Sequence, residues 1–226
     1  LSLDSSMTNN LFNFTAMMAV EAQFSYAQFT YPGINAWLYS RIPDSDFRKS
    51  TWYKSDSGLE YKYAGTLEDA AQTKMYAIDH MSLKFRPAQG NCTDYSVGVA
   101  ADHPLMRVEE MYFLKMEALA GTDLAAAVAL LESFMNTYRY TDGSYTCAAA
   151  DFAQFIDEMM IQKRIEFWGE GIVLFDMKRL DMGVDSNLFA EKLHGFGAVL
   201  ELSAQRTFRL IANEQDGIIL TPQVVL

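Results

Sequence analysis

Residues Gln162 to Leu180 read QKRIEFWGEGIVLFDMKRL. Charged and aromatic side chains are densest here: Lys163, Arg164, Glu166, Phe167, Trp168 and Glu170, then Phe175, Asp176, Lys178 and Arg179. The segment continues a helical pattern that starts near Asp151, and Ile161, Ile165, Trp168, Ile172 and Phe175 fall on one face. Gly169 and Gly171 flank Glu170, so the helix is expected to bend or break there. Charges among so many rings point to ion pairs, because an unpaired buried charge is very costly. The expected pairings are Arg164 with an Asp or Glu, and Arg179 with Glu170. A second reading makes Glu166 and Glu170 the acid and base of a glycan-cleaving enzyme. They stand at i and i+4, so both carboxyls leave one helix surface in the same direction. Glycosidases hold theirs facing across a bond, roughly 5 to 9.5 Å apart. The spacing favours a structural network, and no catalytic residue is assigned.

Upstream, Leu105, Val108, Tyr112, Met116 and Leu119 recur at spacings of three and four, predicting a helix from about Pro104 to Ala120. Pro104 suits the first turn, and the acidic pair Glu109-Glu110 after Arg107 suits the helix dipole. Gly121-Thr122 ends this helix and Asp123 caps the next, whose stripe is Leu124, Val128, Leu131, Met135 and Tyr138. Two helices joined by so short a turn pack antiparallel. Together they span about 34 residues, the period of a tetratricopeptide unit, with Ala127 as the small residue at the close approach.

The first part of the chain is loop-rich. Alternation of Ala22, Phe24 and Tyr26 predicts a short strand, and Arg48 to Tyr53 another. Residues 30–42 read as a loop with half-exposed rings, residues 43–46 and 55–58 as turns, and residues 86–99 as mostly loop. A short helix over 67–75 is capped by Thr66. The tail from Phe208 reads as packed coil or edge strand. The expected fold class is therefore mainly α, with helix pairs and a loop-rich, small-strand region. It forms a single domain over 1–226, divided into a loop and strand part (1–103), a helical part (104–180) and a C-terminal tail (181–226).

The 226 residues carry a net charge of −11 and are 50 % hydrophobic, enough for a real core. The acidic balance argues against nucleic-acid binding, which needs a basic face. The longest apolar run, Leu124 to Leu131, has eight residues, well short of the roughly 18 of a membrane-spanning helix. Cys92 and Cys147 lack CxxC spacing, which favours free or buried thiols over one long-range bridge. His80, His103 and His194 form no metal-binding motif, so neither a metal nor a cofactor is expected. There is no nucleophile elbow and no phosphate loop.

A second cluster is aromatic: Tyr31, Trp37, Tyr39, Trp52, Tyr53, Tyr61 and Tyr63. Sugars stack flat C–H faces on such rings, and Tyr and Trp polar atoms bond their hydroxyls. Tyr31, Trp37, Tyr39 and Trp52 are the candidate glycan-stacking residues. The alternative is that these rings are core under a loop.

Two segments together resemble the SusD/RagB family of nutrient-binding outer-membrane lipoproteins. Gln162 to Leu180 is similar to the family pattern E-R-R-x-E-L/F-x-x-E-G-x-R-x-F-D-L-K-R, matched at Arg164, Glu166, Glu170, Gly171, Phe175, Asp176, Lys178 and Arg179. Pro104 to Ala120 is similar to P-x-x-R-x-A-E-x-x-L-x-x-A-E-A, matched at Arg107, Glu110, Glu117 and Ala118. Glu21 to Phe29, Asp46 to Lys49, and Ile211 with Glu214 echo shorter motifs. Gln162 and Lys163 depart from the usual Glu-Arg, and Ala212 from the tail Pro. The resemblance implies a SusD-like fold with tetratricopeptide-type helix pairs. It implies capture of an oligosaccharide, less often a peptide, for a SusC-like TonB-dependent outer-membrane transporter, without catalysis. The chain is expected to be the C-terminal half of a longer protein on the cell-surface face of the outer membrane. Membrane contact would run through a lipid anchor that this chain does not carry. Ligand residues lie in variable loops of the family and do not transfer. A different class, a helical-repeat scaffold binding only a partner protein, rests on the helix pair alone.

Overall fold

The computed structural model describes residues 14–22, 32–54, 79–180 and 182, with the backbone of three strands. The readings on Phe24, Tyr26 and Tyr31, on the turn 55–58 and on the helix 67–75 lie outside the described residues. In chain order the helices are α1 (Phe14–Met18), α2 (Ala36–Tyr39), α3 (Tyr95–Gly98), α4 (Val108–Ala120), α5 (Leu124–Tyr138), α6 (Phe152–Glu166) and α7 (Val173–Arg179). Strands β1 (Val184–Asp185), β2 (Thr207–Asn213) and β3 (Gly217–Pro222) form an antiparallel sheet in the order β1-β2-β3, with Val184 opposite Phe208 and Phe208 opposite Pro222. The architecture is mainly helical, and the tail expected as coil or edge strand is paired sheet.

Two aspartates start the long helices. Asp123 accepts the Ala126 N–H at 3.0 Å, and Asp151 accepts the Gln154 N–H at 2.9 Å, each satisfying a donor that a helix start leaves open. Helices α4 and α5 form the expected hairpin, and α6 packs against both. Ala127 is fully buried, as a small residue at a close approach should be. Phe113 and Met116 of α4 meet Leu131, Phe134 and Met135 of α5, and Phe155 and Met159 of α6. Phe113 sets its ring edge-on to both Phe134 and Phe167, each at 5.8 Å between centroids. A smaller cluster joins Ile34, Leu38, Ile42 and Trp52 to Ile165. The C-terminal end of α6 thus lies between two apolar clusters.

The structure corrects several expectations. The helix predicted from Pro104 begins at Val108, because Arg107 is drawn into side-chain pairing and residues 104–107 stay non-helical. The buried face shifts accordingly to Phe113, Met116 and Ala120, leaving Leu105 71 % and Val108 66 % exposed. The strand expected at Arg48 to Tyr53 is a 3-10 helix over Phe47–Thr51. Asp46 accepts the Arg48 N–H, and the Ser50 and Thr51 hydroxyls donate to the Phe47 and Arg48 carbonyls, which closes local turns instead of a ladder. Within the loop 30–42, Asn35 caps the single turn α2. The break after α6 is as expected, since Gly169 and Gly171 have φ of 76° and 78°. That turn redirects the chain, so Phe175 leaves the expected apolar face and is 73 % exposed. Gly33 is required for packing, because a Cβ there would meet the His80 carbonyl oxygen at 2.6 Å. Both cysteines are buried, and the two do not form a disulfide.

Phe113→Ala should lower stability by about 3–5 kcal/mol in urea unfolding, whereas Leu105→Ala should change it by less than about 0.5 kcal/mol. The stripe expected from sequence spacing would reverse that ranking.

Candidate functional site

The end of a helix leaves its last carbonyls without intrahelical partners and carries partial negative charge. At the end of α6 three cations meet that demand. Arg48 donates to the Gln162 carbonyl at 3.3 Å, Arg107 to the Glu166 carbonyl at 3.0 Å, and Lys84 to the Glu166 and Trp168 carbonyls at 2.8 and 3.1 Å.

Together with Arg139, these cations hold two carboxylates. Glu166 accepts from Arg139 at 2.7 and 2.9 Å, from Arg107 at 3.0 Å and from Arg48 at 3.3 Å. Glu170 takes a two-pronged contact from Arg107, both bonds at 3.0 Å, and a further bond from Lys84. Asp46 binds Arg48 at 2.6 Å, and Glu109 lies 3.2 and 3.4 Å from Arg107 and Arg139. Four cations (Arg48, Lys84, Arg107, Arg139) thus face four carboxylates (Asp46, Glu109, Glu166, Glu170). Gln162 extends the network, accepting from Arg48 at 2.6 Å and donating to Glu158 at 3.0 Å. Burial alone would raise the Glu166 pKa; Arg139, Arg48 and Arg107 outweigh it and hold the carboxyl down at about 2. Burial pushes the Lys84 ammonium below its usual pKa, against the opposing pull of Glu170. The Arg107 guanidinium stacks over Phe167 at 4.7 Å, and that of Arg139 over Phe134 at 5.0 Å.

A second knot ties α7 to the bundle. Lys163 is 1 % exposed and contacts Asp176 at 2.6 Å. Arg179 bridges Asp176 at 3.1 Å and Glu117 at 2.8 Å.

Several assignments differ from those read in the sequence. Arg179 pairs with Glu117 and Asp176, not Glu170, because Glu170 is already held by Arg107 and Lys84. The network takes Glu109; among the described residues Glu110 pairs with no cation. Arg164 faces no carboxylate among the described residues. Lys84 and Arg139 were missed, since neither sits in a periodic stripe or motif, and only their approach to α6 in three dimensions gives them a role.

Arg164 instead lines a cavity of about 490 Å³ beside α2, with Ile34, Leu38, Trp168 and Leu174 among its walls. Its guanidinium lies 5.7 Å from the Trp37 ring centre, and that of Arg41 lies 4.1 Å from the same ring. Of the candidate stacking residues, Trp37 and Tyr39 are half-buried, and Tyr39 packs on His80 at 4.3 Å. Trp52 is 1 % exposed and meets Trp168 edge-on at 4.8 Å, so it is core and offers no stacking face. Tyr31 lies outside the described residues. Among the described residues no three His, Cys, Asp or Glu side chains converge as a metal site would require.

A sequence model of the SusD family matches residues 15–216. The chain belongs to the SusD family. In structure it is similar to a SusD-like carbohydrate binding protein from Bacteroides vulgatus, at 18 % identity and a TM-score of 0.56. The match covers 98 % of this chain and 39 % of that one. No curated protein matches significantly. No helix among the described residues is long and apolar enough to cross a membrane. Of the residues on which the resemblance was read, Arg107, Glu166 and Glu170 meet in the first knot, and Glu117, Asp176 and Arg179 in the second.

Glu166 is depressed in the folded state, so its contribution is present above its unfolded pKa near 4.5 and lost as pH falls through about 2. The shift corresponds to on the order of 3 kcal/mol. Glu166→Gln should cost about 3–5 kcal/mol at pH 7, by leaving three arginines under-compensated, and should flatten that acid limb. Urea unfolding from pH 7 to 2 measures both effects.

Proposed function

We propose that the protein is a nutrient-binding protein of the cell surface. It captures an oligosaccharide and passes it to a SusC-like TonB-dependent transporter in the outer membrane, with no chemical step. The observation that carries this is the SusD family match across residues 15–216. The similar protein from Bacteroides vulgatus is described as carbohydrate binding, which favours a glycan over a peptide.

The geometry of the carboxylates supports binding over hydrolysis. A general acid needs a carboxyl that is protonated near neutral pH. Glu166 is held ionised by three arginines, and Glu170 is engaged by Arg107 and Lys84. Capture itself is assigned to the rings and polar groups beside α2, where Trp37 and the walls of the cavity combine flat apolar surface with donors. The partner-scaffold reading draws support from Leu105, Met106, Val108 and Met111, which are exposed near the start of α4 and offer an apolar face.

Tryptophan-fluorescence titration with a panel of soluble neutral and charged oligosaccharides tests the proposal. Saturable quenching by one sugar class is expected, with the sugar recovered intact. Trp37→Ala should abolish the binding while leaving the unfolding midpoint close to that of the parent. Shortened sugars in the recovered fraction would contradict the non-catalytic role, and a flat response to the whole panel would contradict glycan capture.

A further inference from the structure

We infer that the cavity beside α2 takes a sugar bearing a carboxylate, bound through its acid group by Arg164 with Arg41 alongside. This rests on the glycan-capture reading and narrows its substrate class.

The protein is strongly acidic, with 29 Asp and Glu against 18 Lys and Arg. Cations in such a chain have carboxylates in easy reach. Among the described residues, every other buried or half-buried Lys or Arg contacts one. Arg48, Lys84, Arg107 and Arg139 do so in the network at the end of α6, Lys163 on Asp176, Lys49 on Asp44 and Lys54 on Asp79. Arg164 breaks the pattern: it is half-buried, and no carboxylate among the described residues faces it. Arg41, exposed on the same Trp37 ring, meets none among the described residues either. Both guanidiniums approach one indole, 4.1 and 5.7 Å from its ring centre, and their positive charge favours an anion beside it. Burial pushes the Arg164 pKa down, and no carboxylate among the described residues opposes it.

The cavity supplies what such an anion would carry with it. Its volume of about 490 Å³ falls inside the roughly 300–1,000 Å³ of small-molecule sites. Trp168, Ile34, Leu38 and Leu174 give it apolar walls suited to the C–H faces of a sugar ring. Asn35 uses its side-chain carbonyl to cap α2, which leaves its amide N–H groups for a hydroxyl. No Asp or Glu is present among the described lining residues to repel an acid or to attract a cation. A planar guanidinium matches a carboxylate with two parallel bonds, a geometry that neutral sugars do not offer.

The test is calorimetric titration at pH 7 of trigalacturonic acid and of its fully methyl-esterified form, which keeps the rings and removes the charge. Native protein should bind the acid at least about tenfold more tightly than the ester, and added salt should narrow the gap. Arg164→Met should erase the preference, so that the acid then binds no more tightly than the ester. Arg41→Met, at an exposed position, should reduce the preference and serves if the first variant does not fold. Equal affinity of acid and ester for native protein would overturn the inference, as would a preference that survives in Arg164→Met. Tighter binding of a sulfated trisaccharide than of the acid would overturn the carboxylate assignment. Binding of a neutral oligosaccharide with no response to the uronide would overturn this inference alone, and silence from both classes would overturn the glycan reading with it.

Discussion

Glu166 sits 6 % exposed at the end of α6, with the guanidiniums of Arg48, Arg107 and Arg139 around its carboxylate. Each arginine comes from a different stretch of chain: the 3-10 turn after Asp46, the approach to α4 and the end of α5. One buried charge therefore joins three segments that share little sequence-local contact. Its geometry is tolerable only because every neighbour answers it. Arg48 and Arg107 also bind the final carbonyls of α6, and Arg107 and Arg139 stack on Phe167 and Phe134, so each arginine has a second partner. Removing the acid takes a carboxylate from all three cations and leaves Arg139 with Glu109 alone, and removing one cation leaves the acid under-neutralised.

The direction of the chain after α6 follows from this arrangement. Glu170 must reach Arg107 and Lys84, which sets the turn held by Gly169 and Gly171. Beyond it α7 is fixed by Lys163 on Asp176 and by Arg179 on Glu117. Lys163 and Arg164 are neighbours in sequence but diverge around the helix. Lys163 turns into the bundle and is neutralised, while Arg164 turns towards α2 and the cavity. The same helix thus carries a guanidinium that meets no carboxylate among the described residues. The ligand site proposed there would sit on a helix whose end is heavily tied, which would keep its geometry fixed before a ligand arrives.

The helical half was legible because its signals are local. Asp123 caps where its side chain predicted, the third long helix starts beside Asp151 as expected, the glycine pair breaks the helix, and the density of charge around Phe167 and Trp168 meant ion pairs. What failed was whatever depended on distant partners. Spacing alone started α4 at Pro104 and put Leu105 in the core, because nothing local reveals that Arg107 is held by residues about sixty positions away. Arg48 to Tyr53 looks like a strand by composition, yet the Asp46 side chain and two hydroxyls close it into a 3-10 turn. Trp52 and Trp37 are alike in sequence, and only packing separates a buried ring from a half-buried one. Lys84 and Arg139 carry no sequence signal for their roles, and the solitary position of Arg164 is a property of the folded molecule only.

The claim that Glu166 organises the fold is tested most directly by a double-mutant cycle between Glu166→Gln and Arg139→Met, read by urea unfolding at pH 7. A coupling of about 2–3 kcal/mol is predicted, since the two groups share a buried two-pronged contact. Single-variant losses that simply add would contradict the account, and would mean that this buried pair is incidental to what holds the helices together.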